Sequence, residues 1–374
     1  MKSIIYADNA ATTKLSTEAF EAMKPYFNEE YGNPSQPYSF SRGVKKAIKE
    51  AREIIANCIN ASPEEIYFTS GGTEADNWAI KGSAFYDSNK RATITSCIEH
   101  HAVLNACTAI ERMGYPVVYL NSDREGVISE VNLYSIITPN TRLVSIMMAN
   151  NEIGTVEPIS KLAEIAHKNG AIFHTDAVQA LGHIKVDVKE LGVDLLSASA
   201  HKFNGPKGIG FLYIKRGTPM VPLLDGGSQE HNLRAGTENV ASIVGMAIAL
   251  QNNCKDIDSN TKYLKRLEKL FIDLLSESNI DYIYNGSPNR IPGNINISFK
   301  NANGETLMHR LDLMGIAIST GAACDSKETK TSHVINAIGV PDDYAEGTIR
   351  ISLGKENTEE DVIKIVDSLK SVLK

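Results

Sequence analysis

Short apolar runs alternate with amphipathic stretches over the first two thirds of the chain. Several runs carry apolar residues on both faces, as strands do when helices cover both sides of a sheet. The stretch 42–59 places apolar residues at helical spacing, and another helix is predicted from Ser160, as its N-cap, to Lys168. This alternation predicts an α/β fold with a mostly parallel sheet. The seven predicted strands are 66–69, 92–95, 117–120, 143–146, 171–174, 195–198 and 210–214.

The pattern changes near residue 255. The stretch 252–260 is mostly polar and predicts a loop, with a helix after it. A capping box formed by Thr358 and Asp361 predicts the start of the last helix. We therefore expect two domains joined by an N-terminal segment. The expected bounds are 15–255 for the large domain, 256–374 for the small α+β domain and 1–14 for the segment.

Composition narrows the class of protein. The 374 residues carry a formal net charge of −7, which gives no electrostatic reason to expect a nucleic-acid partner. Five cysteines occur without a CxxC pair, so neither a disulfide framework nor a zinc site is predicted, and a reducing cytoplasm is the expected location. The N-terminal apolar run is too short for a signal peptide, and the longest apolar stretch, 240–250, is shorter than a membrane span of about 20 residues.

Two chemically distinctive residues follow predicted strands. Lys202 ends the sequence Ser-Ala-His-Lys at 199–202 and leads into a loop rich in glycine and proline. Burial there would lower the pKa of the amine and let it form a Schiff base. Asp176 ends another apolar strand, and carboxyl ends of strands are where ligands gather in open α/β sheets. Alone, Lys202 could be a surface lysine and Asp176 a helix cap. Together they favour pyridoxal phosphate (PLP), which needs an amine and a carboxylate facing its pyridine nitrogen.

A candidate phosphate cradle lies at 70–77, Ser-Gly-Gly-Thr-Glu-Ala-Asp-Asn, between a predicted strand and a helix. Glycines let backbone N–H groups approach an anion at a helix N-terminus, although an ordinary glycine turn with a cap fits the residues equally well. The segment lacks the lysine of a nucleotide-binding P-loop. His100 and His101 follow another strand and would point to opposite faces. One of them could lie flat on an aromatic ring, or it could be a partly buried histidine with an ordinary hydrogen bond.

Two residues near the C-terminus could act on a substrate. Cys324 precedes eight polar residues, 325–332, a composition that predicts a mobile segment and an available thiol. The alternative is an accidental surface cysteine. Arg350 alternates with isoleucines along a predicted strand and could clamp a carboxylate with two hydrogen bonds, or it could lie on a solvated strand face.

In this order and spacing, the motifs resemble the cysteine desulfurases of the NifS/IscS type, which are class V aminotransferase-like PLP enzymes of fold type I. The resemblance extends from Tyr6 to Gly354, and segments 150–154, 199–202 and 234–239 are especially specific. It implies a fold-type I PLP-dependent transferase, with a large domain built on a mostly parallel seven-stranded sheet and a smaller α+β domain.

The resemblance also implies a role for each site residue. The catalytic residues would be Lys202, Cys324 and His100. The cofactor PLP would be bound by Gly72, Thr73, His100, Asp176, Gln179, Ser199, His201, Lys202 and Thr237. Within this set, Lys202 would hold PLP covalently, Asp176 would pair with the pyridine nitrogen, Gln179 would contact the ring oxygen, and Thr237 would come from the second subunit of a homodimer. The substrate would be bound by Asn33, Asn151 and Arg350.

The implied reaction converts L-cysteine to L-alanine. Lys202 would remove the Cα proton, with PLP as the electron acceptor, and the Cys324 thiolate would attack the substrate sulfur and keep it as a persulfide. The sulfur would then pass to an acceptor protein, such as an iron–sulfur scaffold or a protein of another thiolation pathway. No resident metal is implied, although Cys324 could transiently ligate a cluster.

Other activities of the same fold are alternatives. A selenocysteine lyase or a cysteine sulfinate lyase acts on a better leaving group and needs no nucleophilic cysteine, so the contribution of Cys324 separates these enzymes from a desulfurase. A PLP aminotransferase would depend on a keto acid, and a non-catalytic scaffold would not take up PLP. Gln36 and Tyr38 replace serine and histidine of the family pattern, which bears on pocket shape and substrate preference.

Overall fold

The computed structural model describes residues 4–86, 89–320 and 331–373, so Cys324 lies outside the described residues. The strands are β1 Ile5–Tyr6, β2 Ile66–Thr69, β3 Ala92–Ser96, β4 Val117–Leu120, β5 Thr141–Ser145, β6 Ile172–Asp176, β7 Leu195–Ser199, β8 Gly210–Ile214, β9 Tyr282–Tyr284, β10 Asn294–Phe299, β11 Ile316–Ala317 and β12 Thr348–Ser352. The helices are α1 Thr17–Met23, α2 Pro25–Asn28, α3 Arg42–Cys58, α4 Gly72–Ala84, α5 His101–Arg112, α6 Glu130–Ile136, α7 Ile159–Lys168, α8 Val188–Leu191, α9 Gln229–Asn232, α10 Val240–Ser276, α11 Gly304–Leu313, α12 His333–Ala337, α13 Asp342–Ala345 and α14 Glu359–Val372.

The seven predicted strands form one sheet in the order β2-β8-β7-β6-β5-β3-β4. Neighbours from β7 to β4 pair in parallel, whereas β8 is antiparallel to both β2 and β7. Every strand of this sheet except the edge strand β4 is buried along its whole length. The predicted α/β class and mostly parallel sheet are therefore confirmed.

Helices cover both faces of this sheet because successive strand residues point to opposite sides. On β6, Phe173 packs in the same core as Ile55 of α3, and its neighbour Ile172 packs in a separate core with Trp78 of α4. Both Phe173 and Trp78 are fully buried. The apolar runs on both strand faces therefore reflect two helix layers rather than one.

One long helix, α10, replaces the loop predicted at 252–260. It runs unbroken for 37 residues from Val240 to Ser276, about 56 Å at 1.5 Å per residue. Its first half buries Met246 in the large-sheet core and its second half buries Phe271 in a second core. Because tertiary packing stabilises both ends, the helix continues through the polar stretch 252–260. The prediction of a loop there is therefore wrong. The domain bounds at 255 and 256 stay a prediction.

The second core lies between two small sheets and helices α10, α11 and α14. The order β12-β10-β9 forms an antiparallel sheet, and β1 pairs in parallel with β11. The capping box at Thr358 begins α14 as predicted, with the Asp361 N–H 3.2 Å from Thr358 Oγ1. The predicted cap at Ser160 is wrong, because α7 begins at Ile159 after Pro158 and leaves Ser160 inside the first turn.

The N-terminal segment contacts both cores. The backbone N–H of Asn9 donates to the Ser352 carbonyl at 3.1 Å, and the N–H of Thr13 donates to the His201 carbonyl at 2.8 Å. Residues 7–13 therefore connect strand β12 with the loop that follows β7. Within residues 4–86, 89–320 and 331–373, no helix is both long and apolar enough to cross a membrane.

Candidate active site

A cavity of about 260 Å³ opens where β6 and β7 end and α4 begins. This is the carboxyl edge of the parallel strands, where ligands bind in such sheets. The described residues that line it are Ala10, Ala11, Gly72, Thr73, Asp76, His100, His101, Met147, Asn151, Glu152, Asp176, Val178, Gln179, Ser199, His201, Lys202, His333 and Arg350. The cavity therefore gathers ten of the thirteen residues that the sequence predicts for the site.

Lys202 and Asp176 face this cavity from neighbouring strands. Lys202 lies in a short 3₁₀ turn after β7, and its Nζ donates to the carbonyls of Ala10 at 2.7 Å and Ala11 at 2.8 Å. Asp176 is the last residue of β6, and its Oδ1 accepts the N–H of Val178 at 2.8 Å. Burial raises the pKa of Asp176 to about 6. The positive charge of Lys202 acts in the opposite direction and lowers this pKa. An amine and a carboxylate thus share one pocket.

His100 is held as a neutral imidazole. Its Nδ1 accepts the N–H of Ala102 at 3.1 Å as the N-cap of α5, so the ring proton is on Nε2. Burial, reinforced by the positive charge of Lys202, lowers the pKa of His100 to about 4. At neutral pH the Nε2–H can therefore donate a hydrogen bond, and the ring carries no charge.

A second, buried layer of polar groups lies beneath Asp176. His174 is fully buried between the hydroxyls of Ser145, 2.8 Å from Nδ1, and Ser197, 2.9 Å from Nε2. Burial lowers the pKa of His174 to about 3. Burial and the charge of Asp176 raise the pKa of Asp76 well above its usual value. Burial therefore disfavours the charged form of both His174 and Asp76 in this layer.

The predicted phosphate cradle forms a pocket of about 360 Å³ beside the main cavity. Gly71, the N-cap of α4, has a φ of +151°, a conformation that side-chain-bearing residues rarely adopt. A Cβ at Gly72 would lie 2.7 Å from Val178 Cγ2, so a side chain at this helix start would require Val178 to shift. The pocket is lined by Thr12, Ser70, Gly71, Gly72, Thr73, Glu74, Ser199, His201, Lys207 and Gly208.

These groups fit PLP. The amine, the buried carboxylate and the anion cradle are the three features that the cofactor requires. The residues that would hold it are Lys202, Asp176, Gln179, His100 and the cradle residues Gly72, Thr73, Ser199 and His201. Gln179 already points into this region, since its Nε2 donates to the Ala10 carbonyl at 2.9 Å.

Asn151 and Arg350 meet at the far side of the cavity, where Arg350 Nη1 donates to the Asn151 carbonyl at 2.9 Å. Asn33 does not line this cavity; its Oδ1 accepts the N–H of Ser35 at 2.9 Å in a local turn. Thr237 is exposed and also stays outside the lining residues. Arg234, three residues before it, pairs with Glu74 at 2.9 Å and so fixes the segment beside the cradle.

Several residues at the site were not singled out by the sequence, and His101 was considered only together with its neighbour His100. Lys207 lines the cradle, and Ala10 and Ala11 contact Lys202 through backbone carbonyls, which side-chain patterns do not reveal. His101 and His333 line the cavity with ring centroids 4.8 Å apart. Their contact joins positions 232 residues apart, and neither lies in a periodic pattern that points to the other.

Replacing Glu99 by glutamine should flatten part of the pH dependence of stability. Glu99 is fully buried, and burial raises its pKa to about 8. Between about pH 4.5 and 8 the folded chain therefore holds a proton that the unfolded chain releases, so this group lowers stability as the pH rises. Glu99→Gln has no such proton. We expect the difference between the unfolding midpoints of Glu99→Gln and the wild type to increase by about 2–5 °C, in favour of the variant, as the pH rises from 5 to 7.5.

Glu157→Gln is the matched control for this prediction, because burial also raises the pKa of Glu157 to about 8 and Glu157 does not line the cavity. It should show the same gain with no change in cofactor binding. A Glu99→Gln midpoint that keeps a constant difference from the wild type across this pH range would show that Glu99 is ionised in the folded chain.

Comparisons with known proteins agree with this geometry. Residues 5–365 match the family model described as Aminotransferase class-V. The chain is 50% identical over 375 residues to "Cysteine desulfurase IscS" of Dictyoglomus turgidum, covering 100% of this chain and 95% of that relative. A solved structure named "NifS-like protein" superposes with a TM-score of 0.93 at 37% identity, covering 99% of both chains. Another, "SspA in complex with cysteine", has a TM-score of 0.85 at 36% identity and covers 95% of this chain and 100% of that one.

The chain belongs to the class-V aminotransferase family and, within it, to the cysteine desulfurases. The predicted fold-type I architecture is confirmed by the NifS-like neighbour and by the mostly parallel seven-stranded sheet.

Proposed function

We propose that this chain is a PLP-dependent cysteine desulfurase that converts L-cysteine to L-alanine and transfers the sulfur to Cys324 as a persulfide. The observation that carries the proposal is the convergence of Lys202, Asp176 and the α4 cradle on one cavity. The IscS relative and the cysteine-bound structural neighbour support cysteine as the substrate. When bound, PLP would supply an electron sink for the carbanion at the substrate Cα.

The side chains that the structure describes divide the remaining work. The Lys202 amine, held beside the carbonyls of Ala10 and Ala11, removes the Cα proton of the substrate. Neutral His100, with its proton on Nε2, donates a hydrogen bond in the cavity, and the ammonium form of Lys202 returns the proton that it removed. Arg350 and Asn151 bind the substrate carboxylate at the far side of the cavity.

Cys324 is part of this proposal for two reasons: the family resemblance, and the hydrogen bonds that hold the described residues on either side of it. Five residues before it, the Ser319 N–H donates to the Arg350 carbonyl at 3.1 Å, and the Arg350 N–H donates back at 2.7 Å. Beyond it, Ser332 Oγ donates to Glu152 Oε2 at 2.6 Å. The described chain on either side of position 324 is therefore hydrogen-bonded to two residues that line the cavity, Arg350 and Glu152.

The sulfur step balances without an external oxidant. The Cys324 thiolate attacks the substrate sulfur, a sulfur–sulfur bond forms, and the Cβ–S bond breaks with its electron pair remaining on the organic fragment. That fragment takes up one proton at Cβ, recovers at Cα the proton that Lys202 removed, and leaves as L-alanine. The persulfide then passes to an acceptor protein, for which an iron–sulfur scaffold or another thiolation partner is proposed. The cytoplasm remains the predicted location.

A single-turnover assay tests this function. The PLP-loaded protein is mixed with L-cysteine without reductant, alanine is quantified, and the protein is analysed by intact-mass and peptide mass spectrometry. The expected result is one alanine per active site and one added sulfur on the peptide that contains Cys324. Alanine release without sulfur on Cys324 would instead identify direct lyase chemistry, of the kind used on selenocysteine or cysteine sulfinate.

We also propose that the active form is a homodimer in which Thr237 completes the phosphate cradle of the second subunit. Thr237 is exposed in the single chain, and the segment that carries it is fixed beside the cradle by the Arg234–Glu74 ion pair. The surface over 20–40 exposes large aromatic side chains of the kind that subunit contacts bury: Phe20, Phe27, Tyr31, Tyr38 and Phe40. Light scattering should give twice the chain mass of 40.8 kDa; a fully active monomer would contradict the proposal.

A further inference from the structure

The Arg350 guanidinium is a buried cation with hydrogen-bonding capacity to spare. Its side chain is 7% exposed, Nη1 donates to the Asn151 carbonyl, and Nη2 donates to Asp8 Oδ1 at 2.7 Å. A guanidinium has five N–H groups. The hydrogen bonds to Asn151 and Asp8 use two of them, and three donors remain. Nε is buried and has no hydrogen-bond partner among the described residues. Since an unsatisfied buried donor is costly, and Arg350 lines the cavity, the arrangement points to an anionic ligand.

Asp8 contacts this guanidinium from outside the cavity. It is absent from the described residues that line the cavity, whereas Ala10, Ala11 and Arg350 are among them. The Asp8 side chain is 19% exposed. It therefore does not occupy the place where a ligand would meet Arg350.

The backbone around Asp8 is fixed on both sides. The Ala7 carbonyl accepts the Ser352 N–H at 2.8 Å, and the Asn9 N–H donates to the Ser352 carbonyl at 3.1 Å. The carbonyl of Asp8 itself accepts the hydroxyl of Tyr6 at 3.0 Å. A carboxylate on so constrained a segment holds the guanidinium in one orientation, as a side chain free to rotate would not.

Arg350 consequently links three separate parts of the chain. It projects from β12 of the second core, donates to Asn151 in the segment after β5, and is paired with Asp8 of the N-terminal segment. The carboxylate of Asp8 also balances the charge of Arg350, so the guanidinium can stay buried before an anion arrives. Asp8 therefore affects both the orientation and the charge balance of the Arg350 guanidinium.

We propose that Asp8 is a positioning residue that orients Arg350 to bind the α-carboxylate of the amino-acid substrate. The inference rests on the proposed function, because it takes an amino acid as the ligand, and it adds a determinant of carboxylate recognition. Asp8 acts through Arg350 and does not itself contact the substrate. Removing it should weaken ligands that carry an α-carboxylate and leave ligands without one unchanged.

The test compares L-alanine with L-alaninamide, which has the same amine and side chain but no carboxylate. Each is titrated into the PLP-loaded protein, and the change in visible absorption gives the dissociation constant. In Asp8→Ala we expect L-alanine to bind about 10-fold more weakly and L-alaninamide to change less than about 2-fold. The KM for L-cysteine should rise by a similar factor, with kcat within about 3-fold of the wild type.

Three further variants sharpen the comparison. Asp8→Glu keeps the charge and should recover part of the lost affinity for L-alanine. Asp8→Asn keeps an acceptor oxygen and takes the place of Asp8→Ala in the comparison if that variant fails to fold. Glu356→Ala is the matched control, because it removes the exposed 3.5 Å ion pair with Lys14 in the same N-terminal region. That variant should bind both ligands as the wild type does.

Each other outcome has a definite meaning. Equal weakening of both ligands in Asp8→Ala, or of neither, would overturn the positioning role. A wild type that does not distinguish the two ligands would overturn carboxylate recognition by Arg350. Neither titration requires sulfur chemistry, so a wild type that keeps the expected contrast but releases no alanine from cysteine would refute the proposed function and leave the role of Asp8 intact.

Discussion

The Lys202→Ala variant should lose turnover of L-cysteine by at least about 10⁴-fold, because in the proposed mechanism one amine both holds the cofactor and removes the Cα proton. Among the described residues that line the main cavity, Lys202 supplies the one primary amine. General-base catalysis alone accounts for about 10²–10⁴-fold, and the covalent anchor is lost with it. The measurements are alanine release under saturating cysteine and the exchange of the Cα proton of L-alanine with deuterium, and both should disappear.

Lys207→Ala provides the matched control for this result. Lys207 lines the neighbouring cradle and carries the same charge, but it is not among the residues that line the main cavity. Its replacement should weaken cofactor binding and leave the saturated enzyme able to exchange the Cα proton. A Lys202→Ala enzyme that retains 1% of wild-type turnover would show that another group acts as the base.

The position of Lys202 and Asp176 could be predicted because each follows an apolar strand in sequence. Strands buried on both faces carry an unambiguous local pattern, and parallel strands bring their carboxyl ends to one edge. The Asp8–Arg350 pair had no such signal. The two residues are 342 positions apart and meet only when the N-terminal segment pairs beside β12. Contacts of this kind depend on the assembled fold and leave no periodicity in the sequence.

The error at 252–260 has a related cause. Local polarity favours a loop there, but the apolar stripes on either side, represented by Met246 and Phe271, pack in two different cores. A helix anchored at both ends tolerates a polar middle, in which Asp256 and Asp258 are exposed and the buried Asn253 donates to the Phe203 carbonyl at 2.8 Å. The same continuity makes a domain boundary drawn at 255 and 256 hard to read from the sequence, since α10 contributes to both sides of it.

The Cys324→Ser variant should lose sulfur transfer from L-cysteine by about 10³-fold or more while keeping the first half of the reaction. A serine hydroxyl is not ionised near neutral pH, and the thiolate is the form that attacks sulfur. Lys202 and Asp176 are untouched, so deuterium exchange at the Cα of L-alanine should continue at the wild-type rate. This combination distinguishes the nucleophile from the base, because Lys202→Ala loses both activities.

Cys254→Ser is the control for cysteine replacement as such. Cys254 lies on α10, away from the lining residues, and its thiol is hydrogen-bonded to Cys58. That variant should release alanine and accumulate the added sulfur on Cys324 as the wild type does. If Cys324→Ser instead releases alanine from cysteine at an undiminished rate, the sulfur must leave without a protein nucleophile. The cavity would then be that of a lyase, and the polar segment after residue 324 would have no part in the chemistry.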